Sequence, residues 1–155
     1  MYYTKKRDFW KLIHKKIVIL HDKQPTVMTK RLKPIILALG SNTDSNLSMP
    51  KAMHLLQEQL DNLTFTPIIM TEAIGISSNP FANCLASGYT VKTADEVMQI
   101  LKTTEQQCGD LPTLRAEHKV VMDIDLLLLG QKKYHTDDWN RSYIQQLMKL
   151  KDNPL

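Results

Sequence analysis

Two carboxylates one residue apart, Asp123 and Asp125, interrupt the aliphatic run VVMDIDLLLLG at residues 120–130. Those aliphatics are strand material, and a strand alternates its side chains between two faces. Asp123 and Asp125 then share one face with Val121 and Leu127, while Met122, Ile124 and Leu126 take the other. Side-by-side acids at a core rim repel each other and lose hydration, a cost that a cation must offset. With no histidine or cysteine inside the motif, the donors are hard oxygens. Such donors suit Mg²⁺, which binds through one or two carboxylates plus substrate phosphates. Two such ions about 3.5–4 Å apart are a recurrent device for neutralising charge in phosphoryl transfer. Alone, a DxD is a weak motif, since two solvent-facing acids at a sheet edge give the same pattern.

The elements around the pair follow from periodicity and punctuation. Residues 35–39 form a short buried strand that ends at Gly40 and the polar turn GSNTDSN. Asn46 or Ser48 is expected to cap the next helix, with Pro50 in its first turn and Met53, Leu56 and Leu60 as its apolar stripe. NLTFTPIIMTEAIGI reads as a strand with Pro67 at an edge or bulge. ANCLASGYTV alternates as another. Thr93 with Glu96 is a capping box opening a helix that Gly109 stops. A polar linker, 110–119, leads to the DxD strand, then a turn region, and Tyr143, Ile144, Leu147 and Met148 recur at helical spacing. The order β-α-β-β-α-β predicts an α+β, ferredoxin-like antiparallel sheet with helices packed on one face, plus a C-terminal helix. That fold by itself implies no chemistry.

A chain of 155 residues suits one domain with a real core. No apolar run approaches the roughly 18–20 residues that cross a bilayer. Cys84 and Cys108 lack a CxxC pattern and read as reduced thiols in a cytoplasmic protein. The net charge of +4 is unevenly placed: residues 1–27 hold seven Lys/Arg against two Asp/Glu, the rest 13 against 14. The basic excess therefore belongs to an N-terminal extension, not to the domain at 28–155, which weakens any case for nucleic-acid binding. Phe9, Ile13, Ile17 and Leu20 give that extension a helical period as far as Pro25, and Met28 is an alternative start. It lacks a cleavage site and a long enough apolar stretch for a signal peptide.

ALGSN (38–42), TEAIG (71–75), FAN (81–83), Glu105 with Gly109, and DIDLLLLG (123–130) occur in one order. Together they resemble the 6-hydroxymethyl-7,8-dihydropterin pyrophosphokinase family of folate biosynthesis, over roughly residues 35–148. The resemblance implies a cytoplasmic, monomeric transferase that binds small molecules and neither nucleic acid nor membrane. It would pass the β,γ-pyrophosphate of ATP to the pterin hydroxymethyl group and release AMP. It assigns Asp123 and Asp125 to two Mg²⁺ ions and Thr71, Ile74, Phe81, Asn83 and Tyr143 to the pterin. Arg115, Lys119, His135 and Arg141 are assigned to the nucleotide. Phe81 stands where the family usually has tyrosine, Tyr143 where it usually has phenylalanine.

The loop before the DxD strand departs from the pattern. In an ungapped match the family's arginine positions fall on Asp110, Pro112 and Val120, and its tryptophan position on Glu117. Only Arg115, His118 and Lys119 remain there to supply positive charge. Phosphate is best held by the planar fork of arginine, so a second expectation stands beside the enzyme: a catalytically impaired relative acting as a pterin- or nucleotide-binding module.

Overall fold

The structure is a computed structural model, and the residues it describes are 31–73 and 79–152. The extension expected at 1–27, Met28 and Ile74 lie outside them. In chain order the elements are β1 (Lys33–Ser41), α1 (Ser45–Gln59), β2 (Thr64–Phe65), β3 (Ile69–Thr71), β4 (Phe81–Thr90) and α2 (Ala94–Cys108). Then come α3 (Pro112–Ala116), β5 (Asp123–Leu129), β6 (Lys132–Lys133), a 3-10 turn (Asp138–Asn140) and α4 (Ser142–Asp152). All pairings are antiparallel in the order β2-β4-β1-β5-β6, with β3 also on β4. Counting β2 and β3 as one interrupted strand, this is the ferredoxin-like βαββαβ order. The interruption falls at Thr66–Ile68, where Pro67 has no N–H to give to the ladder.

β1 is a continuous apolar run because it is central and buried on both faces. Ile35, Leu37 and Leu39 meet α1 and α2 through Met49, Ala52, Leu56, Val97 and Leu101. Ile36, Leu85 and Leu127 meet Ile144 and Leu147 of α4 on the opposite face. Helices α1 and α2 therefore share one face, as expected, and the C-terminal helix covers part of the other. Ile36 pairs with Leu128 but Leu37 with Leu126, so Leu127 is an extra residue in β5, a bulge.

Thr93 accepts from the Glu96 N–H and the Glu96 carboxylate accepts from the Thr93 N–H, while Gly109 closes α2 at φ 94°. Helix α1 corrects the expectation in three respects. Asp44, in the left-handed region, precedes it without a side-chain cap, so neither Asn46 nor Ser48 performs that role. Pro50 lies beyond the first turn, where it forgoes an intrahelical bond. Of the expected stripe Leu56 and Leu60 are buried but Met53 only half so, and Ser48, Met49 and Ala52 are buried beside them. The stretch 110–119 is likewise more than a polar linker, since it contains α3 and begins with a buried aspartate. Among the described residues no helix is long and apolar enough to cross a membrane. Both cysteines are free, and burial pushes the Cys84 thiol up to about 12.

Candidate active site

The face of the sheet that α4 leaves uncovered is where β1 runs out of bulk. Gly40 pairs with Asn83 on one side and Asp123 on the other; Ala38 pairs with Leu85 and Asp125. Two small residues on the central strand thus open a trough between the carboxylates of β5 and the amide of β4. A Cβ on Gly40 would stand 3.1 Å from Asn83 Oδ1 and 3.7 Å from the Phe81 ring. Glycine there leaves space beside the Asn83 amide, and no unusual φ is involved.

The trough is a cavity of about 180 Å³. Asp123, Asp125, Thr71, Phe81, Asn83, Tyr143 and Arg141 all line it, so seven of the positions singled out from the sequence converge. Asn83 is held by its amide nitrogen, which donates to Thr71 Oγ1 at 2.8 Å and to the Phe81 carbonyl at 3.3 Å. Glu72 and Asp138 also line the cavity, and sequence reasoning missed both. A signal for Asp138 existed in its spacing: it is three residues from His135 and three from Arg141, and it pairs with Arg141 at 2.8 Å. Glu72 carried no such signal, lying inside a Thr- and Ile-rich stretch.

Charge in the cavity is lopsided among the described residues: four acids, Glu72, Asp123, Asp125 and Asp138, face one lining cation, Arg141. Burial, and after it the Asp123 charge, raises the pKa of Asp125 above the ordinary carboxylate value. The relief present comes from behind. Arg115 donates from Nη2 to Asp123 Oδ1 at 3.0 Å and to the Met122 carbonyl at 3.1 Å, while its Nε donates to Asp110. Desolvation works against the Arg115 charge, but the bonds to Asp110 and Asp123 outweigh it and raise its pKa. Arg115 therefore touches the carboxylate pair without lining the cavity. Lys119 is engaged with Glu117 at 2.7 Å and does not line it either. His135 stands 3.6 Å from Asp125 through Nε2.

The strand bearing the pair is clamped. Between Asp123 and Leu126 the outer edge of β5 has no strand partner among the described residues, because β6 pairs only at Leu128–Leu129. An edge N–H there needs another acceptor. Glu105 supplies it, its Oε1 accepting from the Ile124 N–H at 2.8 Å. Asp110 accepts from the Val121 N–H at 3.1 Å and the Met122 N–H at 3.4 Å. Asn42 pins the same approach, donating to the His118 carbonyl at 2.9 Å and accepting from the Val120 N–H at 2.7 Å. The turn after β1 thus braces the site through backbone contacts.

Glu105 makes a sharp test of this clamp. Its pKa is raised, chiefly by burial, with the Ile124 bond partly opposing. The native state therefore holds its proton more tightly than the unfolded chain. The stability this contributes is present below the ordinary carboxylate pKa and is lost as pH rises through the raised value. Glu105→Gln keeps an acceptor for Ile124 without a charge to bury, and it should melt at or above wild type at pH 7. Glu105→Ala orphans the N–H and should lose about 1–3 kcal/mol in denaturant titrations. Equal melting of the two variants would show that the bond to Ile124 is immaterial.

Paired carboxylates beside aromatic and amide walls, on the partly covered face of a ferredoxin-like sheet, give this small α+β domain its candidate active site. Its family is specific: the sequence model of the 7,8-dihydro-6-hydroxymethylpterin-pyrophosphokinase family matches residues 36–151, and the chain belongs to that family. Among curated proteins, no relative matches the chain.

Proposed function

We propose that the protein transfers pyrophosphate from ATP to 6-hydroxymethyl-7,8-dihydropterin in a Mg²⁺-dependent reaction that releases AMP. One observation carries this reading: the acidic pair and the Thr71–Asn83–Phe81–Tyr143 wall face a single cavity. A ring bound there stacks on aromatic faces, and the Asn83 amide presents hydrogen-bonding atoms to its polar edge. At about 180 Å³ the cavity is smaller than the ~300–1,000 Å³ of a drug-sized site. It suits one bicyclic ring, with the nucleotide extending outward past Arg141 and His135.

The donor set fits magnesium. Asp123 and Asp125 offer carboxylate oxygens only, and the excess of acids over cations in the cavity calls for added positive charge. Asp123 keeps Oδ2 for an ion while Arg115 engages Oδ1. When bound, Mg²⁺ would neutralise phosphate charge and position the transferring group. The protein's own share is to hold the pterin in line and to fix both carboxylates on one rigid strand, which is catalysis by positioning and charge complementarity. No covalent intermediate on the protein is required.

A second reading has an observation in its favour. Arg115, the arginine left in the 110–120 loop, is bound to Asp110 and Asp123, and Lys119 to Glu117. A site short of free cations would bind pterin or nucleotide and transfer slowly or not at all. Incubation with 6-hydroxymethyl-7,8-dihydropterin, ATP and Mg²⁺ separates the two: AMP release establishes the enzyme, and ligand binding without AMP establishes the binding module.

A further inference from the structure

Behind the carboxylate pair, the chain that leaves β6 folds back on itself. The indole of Trp139 donates to the Tyr134 carbonyl at 3.0 Å, and the Lys133 ammonium lies 4.4 Å from the Trp139 ring centre. This closes a loop that brings His135 and Asp138 beside Asp125. His135 Nε2 is 3.6 Å from Asp125 Oδ1, and Nδ1 is 4.0 Å from Asp138 Oδ2. One donor atom from each of the three residues lies within 4.8 Å of the others. Arg141 takes the other oxygen of Asp138, Oδ1, and so leaves Oδ2 open. A tetrahedral ion with bonds of about 2.0–2.2 Å needs its ligands roughly 3.4 Å apart, so one nitrogen of the half-exposed imidazole and the two carboxylates would draw together on binding.

We propose that Asp125, His135 and Asp138 form a binding site for a divalent transition-metal ion of the zinc–cobalt–manganese class, overlapping the Asp123–Asp125 pair at Asp125. One imidazole nitrogen with two carboxylate oxygens is a donor set that borderline ions accept readily and that magnesium, which prefers oxygen and water, does not. Three protein ligands leave a coordination position for water. The site shares Asp125 with the proposed magnesium pair and to that extent rests on the proposed function. An ion seated there takes Asp125 away from the pair, so it inhibits pyrophosphoryl transfer.

The test uses the full chain without nucleotide, with Co²⁺ followed by visible absorption and Zn²⁺ by calorimetry. One Co²⁺ per chain should give d–d bands that Zn²⁺ abolishes and equimolar Mg²⁺ leaves unchanged. His135 sits at φ 47°, so His135→Asn removes the imidazole with a residue that tolerates that backbone. It should weaken Co²⁺ binding about tenfold or more at an unchanged melting temperature, a size in keeping with the effect of even outer-shell losses at metal sites. Asp138→Asn should weaken it as well, whereas Asp123→Asn should leave the bands intact. The absence of His135-dependent bands in wild type, or equal Co²⁺ affinity in wild type and His135→Asn, overturns the site. Loss of AMP formation in wild type with the bands intact would instead refute the pyrophosphokinase reading alone.

Discussion

Asp123→Asn and Asp125→Asn should each lower Mg²⁺-dependent AMP formation by about 10²–10³-fold, as expected when a preorganised electrostatic group is removed, with the fold intact. Neither side chain holds the core together: Asp123 is 42% and Asp125 36% exposed, and both face the cavity. Asp125 works against stability where it stands, because burial and its neighbour Asp123 raise its pKa. Its protonated form favours the native state, a contribution present below the ordinary carboxylate pKa and lost as pH rises through the raised value. At pH 7 the ionised pair is a liability, so Asp125→Asn should melt above wild type while losing activity. A stabilised and inactive variant is what a functional carboxylate gives, and a merely structural one does not. Full turnover in either variant at saturating Mg²⁺ would remove the pair from the chemistry.

The largest expected loss of stability comes from Arg115→Ala. The Asp110 side chain is 5% exposed, and its two oxygens accept from Arg115 and from the N–H groups of Val121 and Met122. Removing the guanidinium leaves a nearly buried carboxylate with backbone donors but no countercharge. Breaking a fully buried pair costs about 3–5 kcal/mol. Arg115 itself is 37% exposed, and solvent screening reduces that to about 2–3 kcal/mol. Urea titration measures it. The Asp110→Asn/Arg115→Ala double variant should recover a large part of the loss, because the stranded charge is gone. A double variant no more stable than Arg115→Ala would show that the stranded charge is not the cause. Arg115→Lys should recover little, since a single ammonium does not span Asp110, Asp123 and the Met122 carbonyl.

Local patterns were the legible part of this fold. Thr93 and Glu96 announce their helix because both partners of the capping box lie within four residues. Pro67 announces the break in the edge strand by chemistry it carries alone. The alternation around Asp123 and Asp125 put both acids on one face without knowledge of the rest. What stayed hidden depends on partners far along the chain. Asp110 sits in a polar stretch and reads as solvated, yet it is buried because Val121, Met122 and Arg115 reach it. The cation opposite Asp123 is likewise an arginine eight residues away, brought close by the five-residue helix α3. The bulge at Leu127 is invisible in a run of four leucines, because it is defined only against β1.

The two faces of the sheet answer to different demands. One is packed solid by α1 and α2 and carries most of the apolar core. The other is roofed by α4 over only part of its length, and the reactive groups stand in the remainder. Selection can therefore rewrite the working side residue by residue while the structural side goes on folding the chain. Such a protein can drift from catalyst toward receptor and remain well folded throughout.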